Sequence, residues 1–318
     1  MTSRLTIVMY HYVHEAAGQG FSKLIGRTFD EFHGQLDYLR RNFTIISPEQ
    51  FMDAVTERRS LPANACMLTF DDGYRVHYSV VFRALRERGL SGFFFPPTRP
   101  VVEAVILDVH KIHFTLASSS PPAEIASELC RWIEMNAAGF SLRSPADYWA
   151  IYAKPSRFDP ADIVFVKRVL QKGLPEEART AAVDWLFRRL SGHDERSLSG
   201  DFYLRAHELA EMVAGGMYVG CHGYSHRWLD TLDETGQERE LDQSLSFLET
   251  IGAPVRDWIM CYPFGGLNES LLKLLRRRGC AAGLTTRVAV AGLGVDDPLK
   301  LPRLDTNDLP LSAGAEAR

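Results

Sequence analysis

Short apolar runs alternate with amphipathic stretches along most of this chain. Leu5–Tyr10, Cys66–Phe70, Gly92–Phe95, Met217–Cys221, Trp258–Tyr262 and Ala281–Thr285 are brief and near-continuously apolar, the pattern of strands buried on both faces. Between them the spacing turns helical. Thr28-Phe29-Asp30-Glu31 reads as a capping box, followed by Phe29, Phe32, Leu36 and Leu39 on one face. Ser47-Pro48-Glu49-Gln50 opens a second helix, with Pro48 at its first position. Val76–Arg88 carries an apolar face of Val76, Val81, Phe82 and Leu85 and stops at Gly89. Later helices are predicted over Glu238–Ile251, with Leu241, Leu245 and Leu248 in register, and from Asn268 to Gly279. Alternating strands and helices predict a parallel sheet covered on both faces or closed into a barrel. From about Arg99 to Gly200 no strand is evident. Ile125–Met135, Ile163–Leu170 and Ala178–Leu190 have helical periodicity instead. The expected organisation is an α/β unit over 1–98 and 201–305, a mostly helical insertion over 99–200, and a tail over 306–318.

The 318 residues are enough for two domains or one large domain with an insertion. Apolar residues make up 46% and charged residues 24%, values of a globular chain that buries a sizeable core. Lys and Arg number 36 against 40 Asp and Glu, a net charge of −4, so nothing draws the chain in bulk to nucleic acid. Met1–Glu15 does not read as a signal peptide, and no apolar run reaches transmembrane length. Five scattered cysteines without a CxxC pair read as reduced thiols, so a cytoplasmic location is expected; the oligomeric state is not encoded in any recognisable pattern.

Three strand ends carry the candidate chemistry. Thr69-Phe70-Asp71-Asp72-Gly73-Tyr74 places two adjacent carboxylates where the chain turns, so both can project into one mouth at the C-terminal end of a strand, where α/β folds hold their sites. Taken alone it also fits a surface turn. His222-Gly223-Tyr224-Ser225-His226 offers two imidazoles that can share a metal across a tight loop, and alone it also fits two unrelated loop histidines. Together, two His and one Asp make a three-ligand set with open positions, which suits a catalytic ion, and the second carboxylate is available as a general base. In Cys261-Tyr262-Pro263-Phe264-Gly265-Gly266 the proline stops the strand, and the backbone amides after it can face a ligand.

In this order, TFDDGY, HGYSH and CYPFGG resemble the motifs of the polysaccharide deacetylase family, the NodB-homology group or carbohydrate esterase family 4. Val8-Met9-Tyr10-His11-Tyr12-Val13 is similar to the opening of many members. The resemblance covers about Leu5–Thr98 and Leu204–Leu304 and implies an α/β fold, a distorted, incomplete (β/α) barrel of about seven strands. It implies Asp71 as catalytic base and Asp72, His222 and His226 as ligands of one divalent ion, by default Zn²⁺, with Co, Ni, Mn or Fe(II) compatible. It further implies a substrate and oxyanion region of Tyr74, Tyr262, Pro263 and Phe264, with the Phe264 N–H as oxyanion donor. The implied reaction is removal of an N-acetyl group from an amino sugar in a saccharide or glycoconjugate; with no export signal expected, the carbohydrate would be a nucleotide-linked, lipid-linked or short-oligosaccharide intermediate of polysaccharide biosynthesis.

Two departures from the family pattern stand out. The Arg that orients the base just before the family's proline is replaced by Met260-Cys261-Tyr262, and no His occurs after Gly279 to supply the acid. His11, at the end of the first strand, is the first substitute acid, and it fits equally an ordinary hydrogen-bonded strand-end histidine. These departures leave two other readings open: hydrolysis of another amide, as in deformylases or cyclic amidases, and a non-catalytic carbohydrate-binding relative. Leu107–Phe114, with Asp108, His110 and His113, reads as a solvated helix face, the alternative being the lining of a substrate cleft; Trp132, Trp149 and Trp185 read as core residues of the insertion, the alternative being one that stacks on a sugar ring.

Overall fold

The computed structural model describes residues 3–15, 21, 24–156 and 159–311; the rest of the expected tail, 312–318, lies outside the described residues. Two compact units emerge: 1–104 with 201–318, and 105–200.

In the first unit, Ser3–Tyr10 and Ala65–Asp71 run parallel, with Leu5 opposite Ala65 and Tyr10 opposite Phe70. Phe93–Phe95 adds beside Ala65–Asp71, and Tyr218–Val219 beside Phe93–Phe95. Thr44–Ile45, Ala291–Leu293 and Leu304–Asp305 complete a seven-stranded sheet. Trp258–Cys261 and Cys280–Leu284 pair as a separate parallel sheet. Isolated bridges, Cys221 to Met260 and Leu284 to Leu301, link the two sheets. The expected α/β fold is therefore present as a distorted, incomplete ring of strands, not a closed barrel.

Side chains alternate along each strand, so one set fills the interior. Leu5, Ile7, Ala65, Met67, Phe93, Phe95, Tyr218, Ile259, Cys261, Ala282, Leu284 and Leu301 form that cluster, together with Phe51 and Ala54 from helix Pro48–Thr56. The opposite set packs under the outer helices: Val8, Leu68 and Phe70 meet Phe32, Leu36 and Leu39 of helix Phe29–Asn42. The capping boxes at Thr28 and Ser47 both form. The segment expected as one helix over Val76–Arg88 is a π-helical stretch, His77–Phe82, followed by α-helix Arg83–Glu87.

The second unit is helical, with Asp108–Leu116, Pro122–Phe140, Pro145–Tyr152, Ala161–Arg168 and Glu176–Leu190 around a core that includes Trp132, Phe165 and Leu186. Here the reading of Leu107–Phe114 as a solvated face is corrected. Val109, His110, Lys111, Ile112 and Phe114 are buried, and Lys111 is neutralised by Asp184 at 2.6 Å and Glu195 at 2.8 Å. A lysine can join a buried face when its charge is paired. Trp132 is buried as expected, whereas Trp149 is 43% exposed.

Candidate active site

The inward alternation Ala65, Met67, Thr69, Asp71 carries Asp71 to the rim of the strand ring, where it is 1% exposed. Strict alternation would send the next side chain to the other face. The backbone prevents this. Asp72 has a φ of 74° and Gly73 a φ of 67°, so the chain turns left-handed at once. At Gly73 a Cβ would stand 2.7 Å from the Pro96 Cβ, which only glycine avoids. Both carboxylates thereby reach the neighbourhood of His222, as the sequence suggested.

Asp72 Oδ1 lies 3.1 Å from His226 Nε2 and 3.5 Å from His222 Nε2. The carboxylate and the two imidazoles are all buried, with ligand atoms within 4.8 Å of one another. His222 Nδ1 meets the Cys261 carbonyl at 2.7 Å. A carbonyl only accepts, so Nδ1 carries a proton, and once deprotonated Nε2 would turn a lone pair toward a carboxylate oxygen. Such facing acceptors call for a shared cation, and the N₂O set with an oriented imidazole fits a divalent metal. Without such a cation a proton fills the place: burial disfavours a charged His222, but Cys261, the hydrogen bond to Asp72 and the nearby Asp71 charge outweigh this and raise its pKa well above the usual imidazole value. A second convergence joins Asp71, His222 and Cys261. It is the poorer metal site: burial pushes the Cys261 thiol up, keeping it protonated, and the Asp71 oxygens are already engaged.

The partner of Asp71 is Arg303. Its guanidinium donates to Oδ1 at 2.9 Å and approaches Oδ2 at 2.8 Å, a bidentate pair with both side chains almost fully buried. Arg303 also donates to Thr69 Oγ1 and to the Thr285 carbonyl. Burial alone would raise the Asp71 carboxyl, yet the Arg303 charge and hydrogen bond, together with the neighbouring His222 and His11, more than offset it and hold the pKa below the usual carboxylate value. Arg303 lies between Leu301, which bridges Leu284, and Leu304, which pairs with Val8. The segment that spans the gap in the strand ring thus supplies the arginine missing before Pro263. Sequence reading missed it by looking for the residue only at the family's position; the signal was Leu301-Pro302-Arg303, a cation set among buried apolar residues.

His11 Nε2 stands 3.9 Å from Asp71 Oδ2 with its side chain 44% exposed, so it shares the base's rim and reaches solvent. Its carbonyl accepts from Nε2 of the fully buried His77 at 2.8 Å. Burial pushes His77 down to about 4, so this donor is neutral.

The substrate region expected from the sequence is only partly assembled. Tyr74 is 3% exposed and its hydroxyl donates to Asp72 Oδ2 at 2.7 Å, so it braces a carboxylate and does not face a substrate. Burial and the Asp72 charge raise its pKa, which keeps the donor protonated. Tyr262 is also corrected: it is buried, and its hydroxyl donates to the Leu299 carbonyl at 2.8 Å, away from the site. Pro263 is buried and starts the turn that holds Phe264. Phe264 does belong to the rim. It has a φ of 58°, its ring packs edge-on to His226 at 4.6 Å, and it stacks on Trp228 at 4.8 Å. Asp72, His226 (φ 54°) and Phe264 are all left-handed non-glycine residues. Each such conformation costs on the order of 1–3 kcal/mol, and strain of this kind gathers at functional sites.

Comparison with known proteins bears on the family and the fold. The polysaccharide deacetylase family model matches residues 188–283, which include HGYSH and CYPFGG. No curated protein matches the sequence. Among solved structures, the chain is similar to the Streptococcus pyogenes deacetylase PplD in complex with acetate (TM-score 0.59, 16% identity, 96% of this chain and 93% of that one). It is likewise similar to IcaB from Ammonifex degensii (TM-score 0.56, 18% identity, 95% and 91%). A de-N-acetylase from Aggregatibacter actinomycetemcomitans gives a TM-score of 0.56 at 14% identity, covering 96% of each chain. At these identities the likeness establishes the fold.

Proposed function

We propose that this chain, a member of the polysaccharide deacetylase family, hydrolyses the N-acetyl group of an amino sugar within a saccharide, with the help of one divalent ion. The observation that carries the proposal is the convergence of Asp72, His222 and His226 beside an Asp71 already fixed by Arg303. An ion held by those three side chains, zinc by default, would acidify a water and polarise the acetamide carbonyl. Asp71, kept ionised by Arg303, takes the proton from the attacking water. The Phe264 N–H donates to the carbonyl oxygen as negative charge develops there, a contribution of about 3 kcal/mol for a well-aimed donor. His11, on the same rim and open to solvent, returns a proton to the amine as the C–N bond breaks. Tyr74 holds Asp72 in its ligating orientation.

Arg303 also weakens the case for a non-catalytic relative. A buried guanidinium pairing bidentately with the base supplies the orienting function whose absence motivated that reading. The test is acetate release from N-acetylated saccharides, offered as nucleotide-linked, lipid-linked and free oligomers, by wild type and Asp71→Asn. Release from at least one class, lowered a hundredfold or more by the substitution, is expected. Equal release by both proteins overturns the role of Asp71, and release of formate or ring opening in place of acetate overturns the choice of bond.

A further inference from the structure

The loop that carries both imidazoles is held from beneath by one side chain that none of its motifs contains. Glu240 projects from the buried face of helix Glu234–Thr250 and is 6% exposed. Its Oε2 accepts from the backbone N–H of Tyr224 and of Ser225, each at 2.9 Å, and its Oε1 accepts from the Ser225 hydroxyl. Three donors from two consecutive residues therefore end on one side chain, at the middle of the five-residue span His222–His226. On the loop's other side, the Gly223 carbonyl accepts from the Thr98 N–H at 3.4 Å and the Tyr224 carbonyl from the Arg99 N–H at 2.9 Å.

The span needs this hold because it is conformationally costly. Gly223 has a φ of 72°, and His226 adopts a φ of 54° that a β-substituted residue avoids. A strained backbone persists only where its surroundings over-determine it. Ser225, whose N–H and hydroxyl both end on Glu240, immediately precedes His226. Glu240 also lies in a row with Gln237 and Ser244 on the same helix face. Gln237 donates to the Leu229 carbonyl at 2.9 Å, and Ser244 accepts from the Cys221 thiol at 3.3 Å. This polar row, among Leu241 and Leu248, is thus matched group by group to the strand end and the loop after it.

We propose that Glu240 is a positioning residue that sets the metal affinity of the site by holding the His222–His226 loop in its ligating conformation. The inference rests on the proposed metal site but predicts something that site does not require: dependence on a carboxylate that touches neither ion nor substrate. Glu240→Leu keeps the volume and removes the acceptors, whereas Glu240→Gln keeps an oxygen acceptor in the same place. Zn²⁺ affinity, read by chelator competition on the full chain, should fall 10- to 100-fold in Glu240→Leu and stay within threefold of wild type in Glu240→Gln. Thermal melting of the metal-free proteins shows whether the substitution acts on the loop or on the whole fold. Hydrogen exchange in the wild type gives a reading free of substitution: the Tyr224 and Ser225 amides should exchange as slowly as the interior of helix Glu234–Thr250. Unchanged affinity in Glu240→Leu, or fast exchange at both amides, overturns the proposal. A wild type that binds no divalent ion overturns the metal-dependent reading itself, so the two failures are distinguishable.

Discussion

Replacing Arg303 with Met removes the guanidinium and keeps an unbranched chain of similar reach. The pair it breaks has two contacts, 2.9 Å and 2.8 Å, between side chains exposed by no more than 2%. Removing one partner of such a pair leaves the other charge buried without compensation, a loss of about 3–5 kcal/mol. With a denaturant slope of about 3 kcal/mol per molar urea, the unfolding midpoint should fall by about 1 M or more. Catalysis should fall further than stability accounts for, because the burial that opposes Asp71 ionisation then loses the largest group that offsets it. The acidic limb of the kcat/KM profile, which reports the free base, should move to higher pH, with a loss on the order of 100-fold or more at neutral pH. The sign in stability follows the same logic. The Asp71 pKa is depressed in the folded state, so its contribution is complete above the unfolded carboxylate value of 3.8 and is lost as pH falls through the folded value. Arg303→Lys retains a charge but cannot form both bonds at once, so it should recover part of the pH profile and less of the rate. Measuring urea midpoints and pH–rate profiles of the three proteins is sufficient. An acidic limb that stays in place in Arg303→Met, with activity within threefold of wild type, refutes the assignment of Arg303 as the group that holds the base.

Two further predictions concern the surroundings of the ligands. His77 is depressed to about 4 in the folded state against about 6.5 when exposed, so the stability it contributes is complete above pH 6.5 and is lost as pH falls toward 4, about 3 kcal/mol in all; His77→Gln should flatten that slope in chemical denaturation series, and parallel curves for the two proteins would count against it. Tyr74→Phe deletes only the hydroxyl that donates to Asp72, so metal affinity should drop about 10- to 100-fold by chelator competition while the fold persists; affinity equal to wild type would show that the bond is idle.

Much of the fold was legible because its strands are buried on both faces. Uninterrupted apolar runs such as Cys66–Phe70 leave little choice of element, and capping residues at Thr28, Ser47 and Asn268 mark helix starts locally. The π-helical turn at His77–Phe82 was not legible, since its apolar spacing is compatible with an ordinary helix over the same residues. Asp72 was legible as a rim residue because Gly73 announces the turn. Tyr74 and Tyr262 misled because motif position says where the backbone runs, not where a long side chain ends: both phenols turn inward to satisfy buried acceptors. Arg303 was missed for the converse reason. The guanidinium arrives from a segment 232 residues along the chain from Asp71, and only the return of Leu301–Asp305 to the first strand brings it there.

The claim under all of this is that one divalent ion binds between Asp72, His222 and His226. Crystals grown with Zn²⁺, with diffraction recorded on both sides of the zinc absorption edge, test it most directly. The account predicts a single strong anomalous peak within about 2.0–2.2 Å of both Nε2 atoms and a carboxylate oxygen of Asp72. A zinc-loaded chain whose peak lies elsewhere, with these three side chains bound to no metal, would contradict it.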